Sequence, residues 1–419
     1  MRKNRIFKAV SLVVVVAFIF TVLAGCASQA PAEKPAVKKP IKIGMSIPFT
    51  GAAAEKGQPI GQGELDAWKY INEELGGIDG NKIEIVWYDT AYNAAIATTN
   101  VKKLMDDGCL FFTVVSSADA TASKEAANKA GFPGLVIFSS PSLTNPPGRL
   151  YAQLPDYGDD WAAFCNYYLK NIWKGTGKPK MALAILSNST GYGVRDAAKV
   201  AADDLGIDIV TVEEHKTTTI SEIDALTRIK AKNPDVLFIG STPAPTSVIL
   251  KNAYELKLTP GMTIACGHAG FTKALIDLAG KNISDGIYGV FPTVNWGDDV
   301  KGMPKMNEYC TANHKQYVGN NDYLCGWTAS LINAEIIRQA LKNSSLDVLS
   351  KGDATAWKIA EEQGFRMVKG YDVDGLHGPV DFSDPVDRRG SKSVKVFQIK
   401  KGEMTALTGW VDAPYIKYQ

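Results

Sequence analysis

The feature that most restricts what this chain can fold into is a repeated beat, in which short apolar runs alternate with helical segments of about 10–15 residues. The runs Ile41–Pro48, Lys82–Tyr88, Leu110–Val115, Gly134–Phe138, Met181–Leu186, Ile207–Glu213, Val236–Ile239, Met262–Ala265 and Gly286–Val290 read as strands. Between them Gln58–Leu75, Ala94–Met105, Thr121–Ala130, Trp161–Trp173, Gly193–Leu205, Ser221–Ala231, Thr246–Leu256 and Phe271–Ala279 carry helical spacing, with Ser221 placed to cap its helix. Strands that alternate with helices imply parallel sheets with right-handed crossovers. The near-continuous apolar character of the strands agrees, because parallel sheets are covered on both faces. After residue 290 the beat breaks. Met303–Tyr317, Gly326–Leu341 and Thr355–Glu362 read as helices, and Val380–Phe382 and Ser393–Ile399 as strands. The expected fold class is α/β, with two doubly wound parallel-sheet lobes joined by a hinge; 419 residues suffice for two cores.

The N-terminus belongs to a different regime. Met1–Lys8 is basic, Ala9–Ala24 is apolar, and Leu23-Ala24-Gly25-Cys26 follows. A charged start, an apolar stretch and small residues at the cleavage point define a secretory signal, expected over residues 1–25. The cysteine directly after Leu-Ala-Gly resembles the bacterial lipobox, in which the thiol is acylated; Cys26 is then the lipid-anchored first residue. The apolar run is short for a spanning helix, which needs about 20 residues. Residues 26–40 are rich in Pro, Lys and Glu and read as a tether. The expected location is the bacterial cell envelope, exported and lipid-anchored.

Charge excludes one partner class. Without Arg2, Lys3, Arg5 and Lys8 the basic count falls to 42 against 44 acidic residues, a net charge of about −2. No basic stripe remains, so nucleic acid is not expected as a partner. Five cysteines follow Cys26, namely Cys109, Cys165, Cys266, Cys310 and Cys325. The odd number leaves at least one outside any internal bridge. Export permits disulfides, and Cys310 with Cys325 is the candidate pair; free buried thiols are the alternative. The four histidines His215, His268, His314 and His377 show no metal-ligand spacing, and no metal or cofactor is expected. No GxSxG elbow, phosphate loop or catalytic carboxylate pair stands out, so the chain does not read as an enzyme.

Several ordered blocks carry a resemblance. They are Ile43-Gly44, Pro48-Phe49-Thr50-Gly51, Gly76-Gly77-Ile78-Asp79-Gly80-Asn81-Lys82-Ile83-Glu84, Tyr88-Asp89, and Ser139-Ser140-Pro141-Ser142-Leu143-Thr144-Asn145-Pro146. Together the chain from 41 to about 400 resembles the type I periplasmic binding proteins of the leucine/isoleucine/valine branch, which feed ABC transporters. The resemblance implies two lobes joined by three crossing strands, with ligand in the cleft. It places the N-terminal lobe at 41–155 plus 290–370, and the C-terminal lobe at 156–289 plus 371–419. The implied partners are a small-molecule ligand and an ABC transporter permease.

In open α/β sheets ligands sit at the carboxyl ends of strands. Ser116 and Ser117 follow the run 110–115, and Ser142, Leu143 and Thr144 follow 134–138. These loops offer hydroxyls and N–H groups suited to a carboxylate; the competing reading is that they only cap helices and turns. From the resemblance, Tyr192 and Thr242 face the cleft from the other lobe. Two departures from the family pattern stand out. Where relatives that bind amino acids place an acid, this chain reads Cys266-Gly267-His268-Ala269-Gly270, which brings His268 beside the site and no carboxylate. Where relatives place an aromatic over the ligand, this chain has Lys56, which favours an anion. The expected function is therefore capture of a branched-chain amino acid or related small carboxylate. Two alternatives stay open: an aromatic or short organic acid or an amide, or an amino acid held by Asp119 in place of the missing acid. A ligand sensor or an exported hydrolase is a further alternative, though no signalling module or nucleophile–base pair is recognisable.

Overall fold

Strand β1 (Ile41–Ile47) buries Ile41, Ile43, Met45 and Ile47 on one face and Gly44 and Ser46 on the other, as a strand covered on both faces requires. The computed structural model describes residues 39–259 and 261–418. The candidate signal segment, Cys26 and the tether up to residue 38 lie outside the described residues. β1 is joined by β2 (Ile83–Asp89), β3 (Cys109–Val114), β4 (Gly134–Val136) and β5 (Leu150–Ala152) in a five-stranded sheet of order β2-β1-β3-β4-β5. Every pairing in it is parallel. The order reverses between β1 and β3, so the loops beyond those two tips leave in opposite directions and open a crevice.

The second sheet holds β6 (Lys180–Leu186), β7 (Asp208–His215), β8 (Val236–Gly240), β9 (Thr263–Cys266), β10 (Tyr288–Phe291), β11 (Ser393–Lys400) and β12 (Glu403–Ala406). Its order is β12-β11-β10-β9-β8-β6-β7, and β13 (Val411–Asp412) pairs with β11. The strands from β6 to β10 run parallel, and β11 joins antiparallel. Its switch point lies between β6 and β8. The molecule is thus two α/β lobes with parallel sheets. The chain passes between the sheets after β5, after β10 and before β11. These crossings hold one another: Ala152 N donates to Arg388 O at 2.8 Å, and Gly390 N to Ala152 O at 2.7 Å.

The helices that break the β-α beat return to the first sheet. Helix Asn321–Asn343 lies along helix Ala54–Glu73, and Asn333 Nδ2 donates to Thr113 Oγ1 of β3 at 2.8 Å. The two helices approach backbone to backbone at two glycines. A Cβ on Gly326 would sit 1.9 Å from Ile60 O, and one on Gly63 would sit 2.1 Å from Tyr323 O. Gly326→Ala therefore forces the helices apart and is expected to cost about 1–3 kcal/mol, the range for overpacking a close-packed core. Urea unfolding should show a lower midpoint with unchanged slope; an unchanged midpoint would refute the close crossing.

Several expectations need correction. Helices begin about a turn earlier than the apolar periodicity suggests, at Ala54, Ser117, Tyr157, Ser189, Pro243 and Asn321. β5 is three residues long and carries too few positions to show a period. Ser221 does not cap its helix: Glu222 holds that position without a side-chain cap bond, and Glu222 N instead donates to Asn252 Oδ1. Val380–Phe382 forms a single bridge, Tyr371 to Val380, and no strand. The bridge between Cys310 and Cys325 is not formed. The five cysteines among the described residues are free and buried. Cys310 lies on helix Met303–Asn313 with its thiol turned to His314 O at 3.5 Å, and Cys325 lies on the following long helix. Among the described residues no helix is long and apolar enough to cross a membrane.

Candidate ligand site between the lobes

The two switch points face each other, and the cavity between them is lined by residues from the strand tips predicted by the topology. From the first lobe come Pro48, Ala53, Lys56 and Gly57 beyond β1, Tyr92 beyond β2, Val115 and Ser116 beyond β3, and Phe138 beyond β4. From the second lobe come Thr190 beyond β6, Thr242 beyond β8 and Ala269 beyond β9, with Tyr157 on the first helix after the crossing. The cavity volume is about 30 Å³. One water takes a comparable volume, so a larger solute needs the lobes to part.

The lobes are closed on one another through hydroxyls. Ser189 Oγ donates to Ser117 Oγ at 2.9 Å, Ser117 Oγ lies 3.3 Å from Thr190 Oγ1, and Asn188 Nδ2 donates to Tyr92 OH at 3.0 Å. Tyr157 OH adds a bond to Ser117 Oγ at 3.3 Å. A Cβ on Gly193 would stand 3.1 Å from both Pro141 Cδ and Tyr157 Cβ, so this helix of the second lobe packs directly against Pro141 of the first.

Helix starts supply the site's polarity. Ser116 caps helix Ser117–Ala130, its Oγ accepting from Asp119 N at 3.0 Å. Asn188 caps helix Ser189–Ala201, which places Thr190 in the first turn. Thr242 stands at the N-cap of helix Pro243–Glu255, but its Oγ1 makes no cap bond and is buried without a partner among the described residues. Three helix N-termini thus converge, each with partial positive charge.

Lys56 reaches the cavity wall from the first turn of helix Ala54–Glu73. Its Nζ donates to Asp322 Oδ1 at 2.6 Å and stands 4.2 Å from the centroid of Phe138. The pair is buried, with side-chain exposures of 8% and 0%. Lys56 is therefore at the site but is not a free cation. Asp119 sits behind Ser116, its Oδ2 accepting from Thr90 Oγ1 at 2.7 Å. Burial pushes its carboxyl up to about 6 despite the Thr90 and Ser116 bonds.

The structure gathers Lys56, Ser116 and Thr242 at the cavity, with Ser117 just behind as a junction between lobes. The others lie elsewhere. Ser142 is exposed and Leu143 is buried in a core cluster of the first lobe. Thr144 lines a separate surface hollow with Asp156, Arg389 and Tyr418. Tyr192 points outward, its ring 4.1 Å from the Arg195 guanidinium carbon and its OH 3.4 Å from Glu214 Oε2. His268 is fully buried one layer behind the wall, between Phe138 and Tyr157, with Nδ1 2.7 Å from Asp160 Oδ2; its neighbour Ala269 is what lines the cavity. Tyr92, Phe138, Tyr157, Thr190 and Asp322 are additions of the structure. Tyr92 had one available signal, its place just past a strand tip ahead of a capping Asn93.

Two buried histidines make stability depend on pH. Burial pulls His215, which meets Ser241 Oγ at 2.7 Å, and His377 down to about 4 from 6.5. Unfolded histidines take up protons first, so this stability is present above pH 6.5 and lost as pH falls toward 4. Asp119 acts oppositely, because ionising it in the fold is penalised as pH rises from its ordinary 3.8 to about 6. The histidines thus make the melting temperature fall from pH 6.5 to 4, against an opposing rise from Asp119 and the other carboxyls that burial raises, Glu55, Glu64, Asp156, Asp159 and Asp322. His377→Gln should flatten that fall and Asp119→Asn should steepen it; a curve unchanged by both would contradict the assignment.

The model of the periplasmic binding protein family matches residues 40–403. An amino acid binding protein of Pseudomonas aeruginosa is 26% identical over 233 residues, 52% of this chain and 58% of that protein. A Leu/Ile/Val-binding protein of Escherichia coli K12 is 26% identical over 243 residues, 55% of this chain and 62% of that protein. The matched region thus spans about three-fifths of these relatives. Among solved structures, a branched chain amino acid ABC transporter protein from Thermus thermophilus with bound valine has a TM-score of 0.79 at 19% identity, covering 90% of this chain and 97% of its own. A fatty acid ABC transporter substrate-binding protein from Thermomonospora curvata has a TM-score of 0.76 at 16% identity, covering 89% of this chain and 92% of its own. With the matched model spanning nearly all described residues and the two-lobed fold in agreement, the chain belongs to the periplasmic binding protein family.

Proposed function

We propose that the chain is the solute-binding component of an ABC importer, capturing a branched-chain amino acid or related small carboxylate between its lobes and handing it to a permease. The observation that carries this reading is the cavity at the two switch points, lined by Ser116 of the first lobe and by Thr190 and Thr242 of the second. Separated lobes bind, and contacts from each side favour the closed form. The names of the aligned relatives support amino acids as a solute class. Release of the solute unchanged is part of this reading, supported by membership of a binding-protein family. The signal-like start and Cys26 support export and a lipid anchor at the cell envelope. The lobes are proposed to run over 41–155 plus 290–370 and over 156–289 plus 371–419.

Native mass spectrometry of the purified protein, followed by melting curves with the solute it identifies, tests the reading. A solute at 100 times its Kd should add about 2.7 kcal/mol. A protein that carries no small molecule and whose melting point responds to no carboxylate or amino acid would refute it.

A further inference from the structure

We propose that Lys56 is a built-in stand-in for a solute's ammonium group, so that the solute taken is a small carboxylate that carries no charged nitrogen. This rests on the capture reading and narrows its substrate class.

Lys56 is the one lining residue, among the described residues, whose side chain is an ammonium or carboxylate. Its Nζ stands where a ligand cation would be received, 2.6 Å from a buried carboxylate and 4.2 Å from the face of an aromatic wall residue. The charge of Asp322 is thus already balanced through Oδ1, although its Oδ2 is buried without a partner among the described residues. The other carboxyls nearby are engaged or disfavoured as anions. Asp119 accepts from Thr90, Asp160 holds His268, and burial raises Glu55 beside Lys56 despite the Lys56 charge. An incoming ammonium would be repelled by Lys56 and would find the carboxylate nearest the wall already neutralised by it, and a buried unpaired charge is costly.

A carboxylate meets the opposite situation. An ammonium has three donors, and Asp322 takes one of those on Lys56. Thr242 Oγ1 is buried without a partner, and Ser116 and Thr190 add hydroxyls at helix starts that favour negative charge. The remainder of the wall, with Pro48, Ala53, Val115 and Phe138, is apolar and suits a hydrocarbon body.

Matched pairs test this: isovalerate against leucine, and isobutyrate against valine, titrated calorimetrically into the full chain. The acid should bind at least about tenfold tighter than its amino acid, a difference of about 1.4 kcal/mol. Lys56→Ala uncovers Asp322 and makes room for a ligand ammonium at the vacated point, so the preference should invert. Lys56→Met combined with Asp322→Asn removes both charges while keeping the volume, and should abolish the preference without creating one for amino acids; it also serves if Lys56→Ala folds poorly. Leucine or valine preferred by the unaltered protein, or a ratio that neither variant moves, overturns the inference while leaving capture intact. Failure of every acid and every amino acid to bind counts against capture itself, and so against the inference that rests on it.

Discussion

Replacing Asp322 by Ala is expected to cost about 3–5 kcal/mol of folding stability, because it strands a buried ammonium. Lys56 is 6% exposed and its Nζ meets Asp322 Oδ1 at 2.6 Å; without that oxygen only the faces of Phe138 and, at 5.9 Å, Phe291 remain. Each ring contact is worth about 2 kcal/mol when desolvated, and the one to Phe291 is at the outer limit of reach, so they replace the carboxylate only in part. The pair itself need not be a net stabiliser, since its desolvation offsets much of its attraction. Lys56→Met with Asp322→Leu should therefore regain most of the loss. Urea unfolding of the single and double variants measures both values. A single-variant loss below about 1 kcal/mol would mean the pair behaves as a solvated one.

Arg389→Met is the second large effect. Arg389 Nη1 donates to Asp159 Oδ1 at 2.6 Å, and Nε and Nη2 grip Asp387 at 3.0 and 2.9 Å. Asp156 and Asp159 are both buried and lean on the same guanidinium, and the Arg389 backbone bridges to Ala152 at a crossing. The loss should be about 3 kcal/mol or more, since buried carboxylates lose their counter-charge where the lobes join. A pH signature accompanies it. Burial would raise Asp387, but the Arg389 bonds and charge outweigh it and hold the carboxyl at about 2. That contribution is present above the ordinary 3.8 and is lost as pH falls toward 2. Below pH 4 the unaltered protein should lose stability more steeply than Arg389→Met; parallel curves would contradict the role given to Arg389.

Much of the fold is legible in the chain because parallel strands buried on both faces are written as continuous apolar runs, of which β3 is one. The helix starts are not, and they hold the site. Ala54-Glu55-Lys56-Gly57, Ser189-Thr190-Gly191-Tyr192 and Pro243-Ala244-Pro245 contain residues that favour caps and turns and show no apolar period. Their burial comes from residues far along the chain, Phe138 and Asp322 of the same lobe for Lys56 and Ser117 of the other lobe for Ser189 and Thr190, which local spacing cannot reveal. Tyr192 illustrates the limit: it lies two residues from Thr190 on one helix, and such residues face different ways, so Thr190 meets the cavity and Tyr192 does not. Ser142 and Thr144 read as a polar loop, yet the short helix Pro141–Thr144 turns Leu143 into the core and the hydroxyls away from the cavity. Lys56 stands out by itself, but its partner lies 266 positions along the chain. Tyr92 reaches the wall through two successive left-handed residues, Ala91 at φ 48° and itself at 54°, which nothing in their identity announces.

In the capture proposed above, one solute touches both lobes at once. Hydrogen–deuterium exchange of the full chain, with and without the solute identified by mass spectrometry, tests it most directly. Slowed exchange is expected at amides 115–120 and 92–95 of the first lobe together with 188–194 and the non-proline positions of 241–247 of the second, appearing at the same solute concentration. Protection confined to one lobe, or spread over surfaces away from the strand tips, would contradict it.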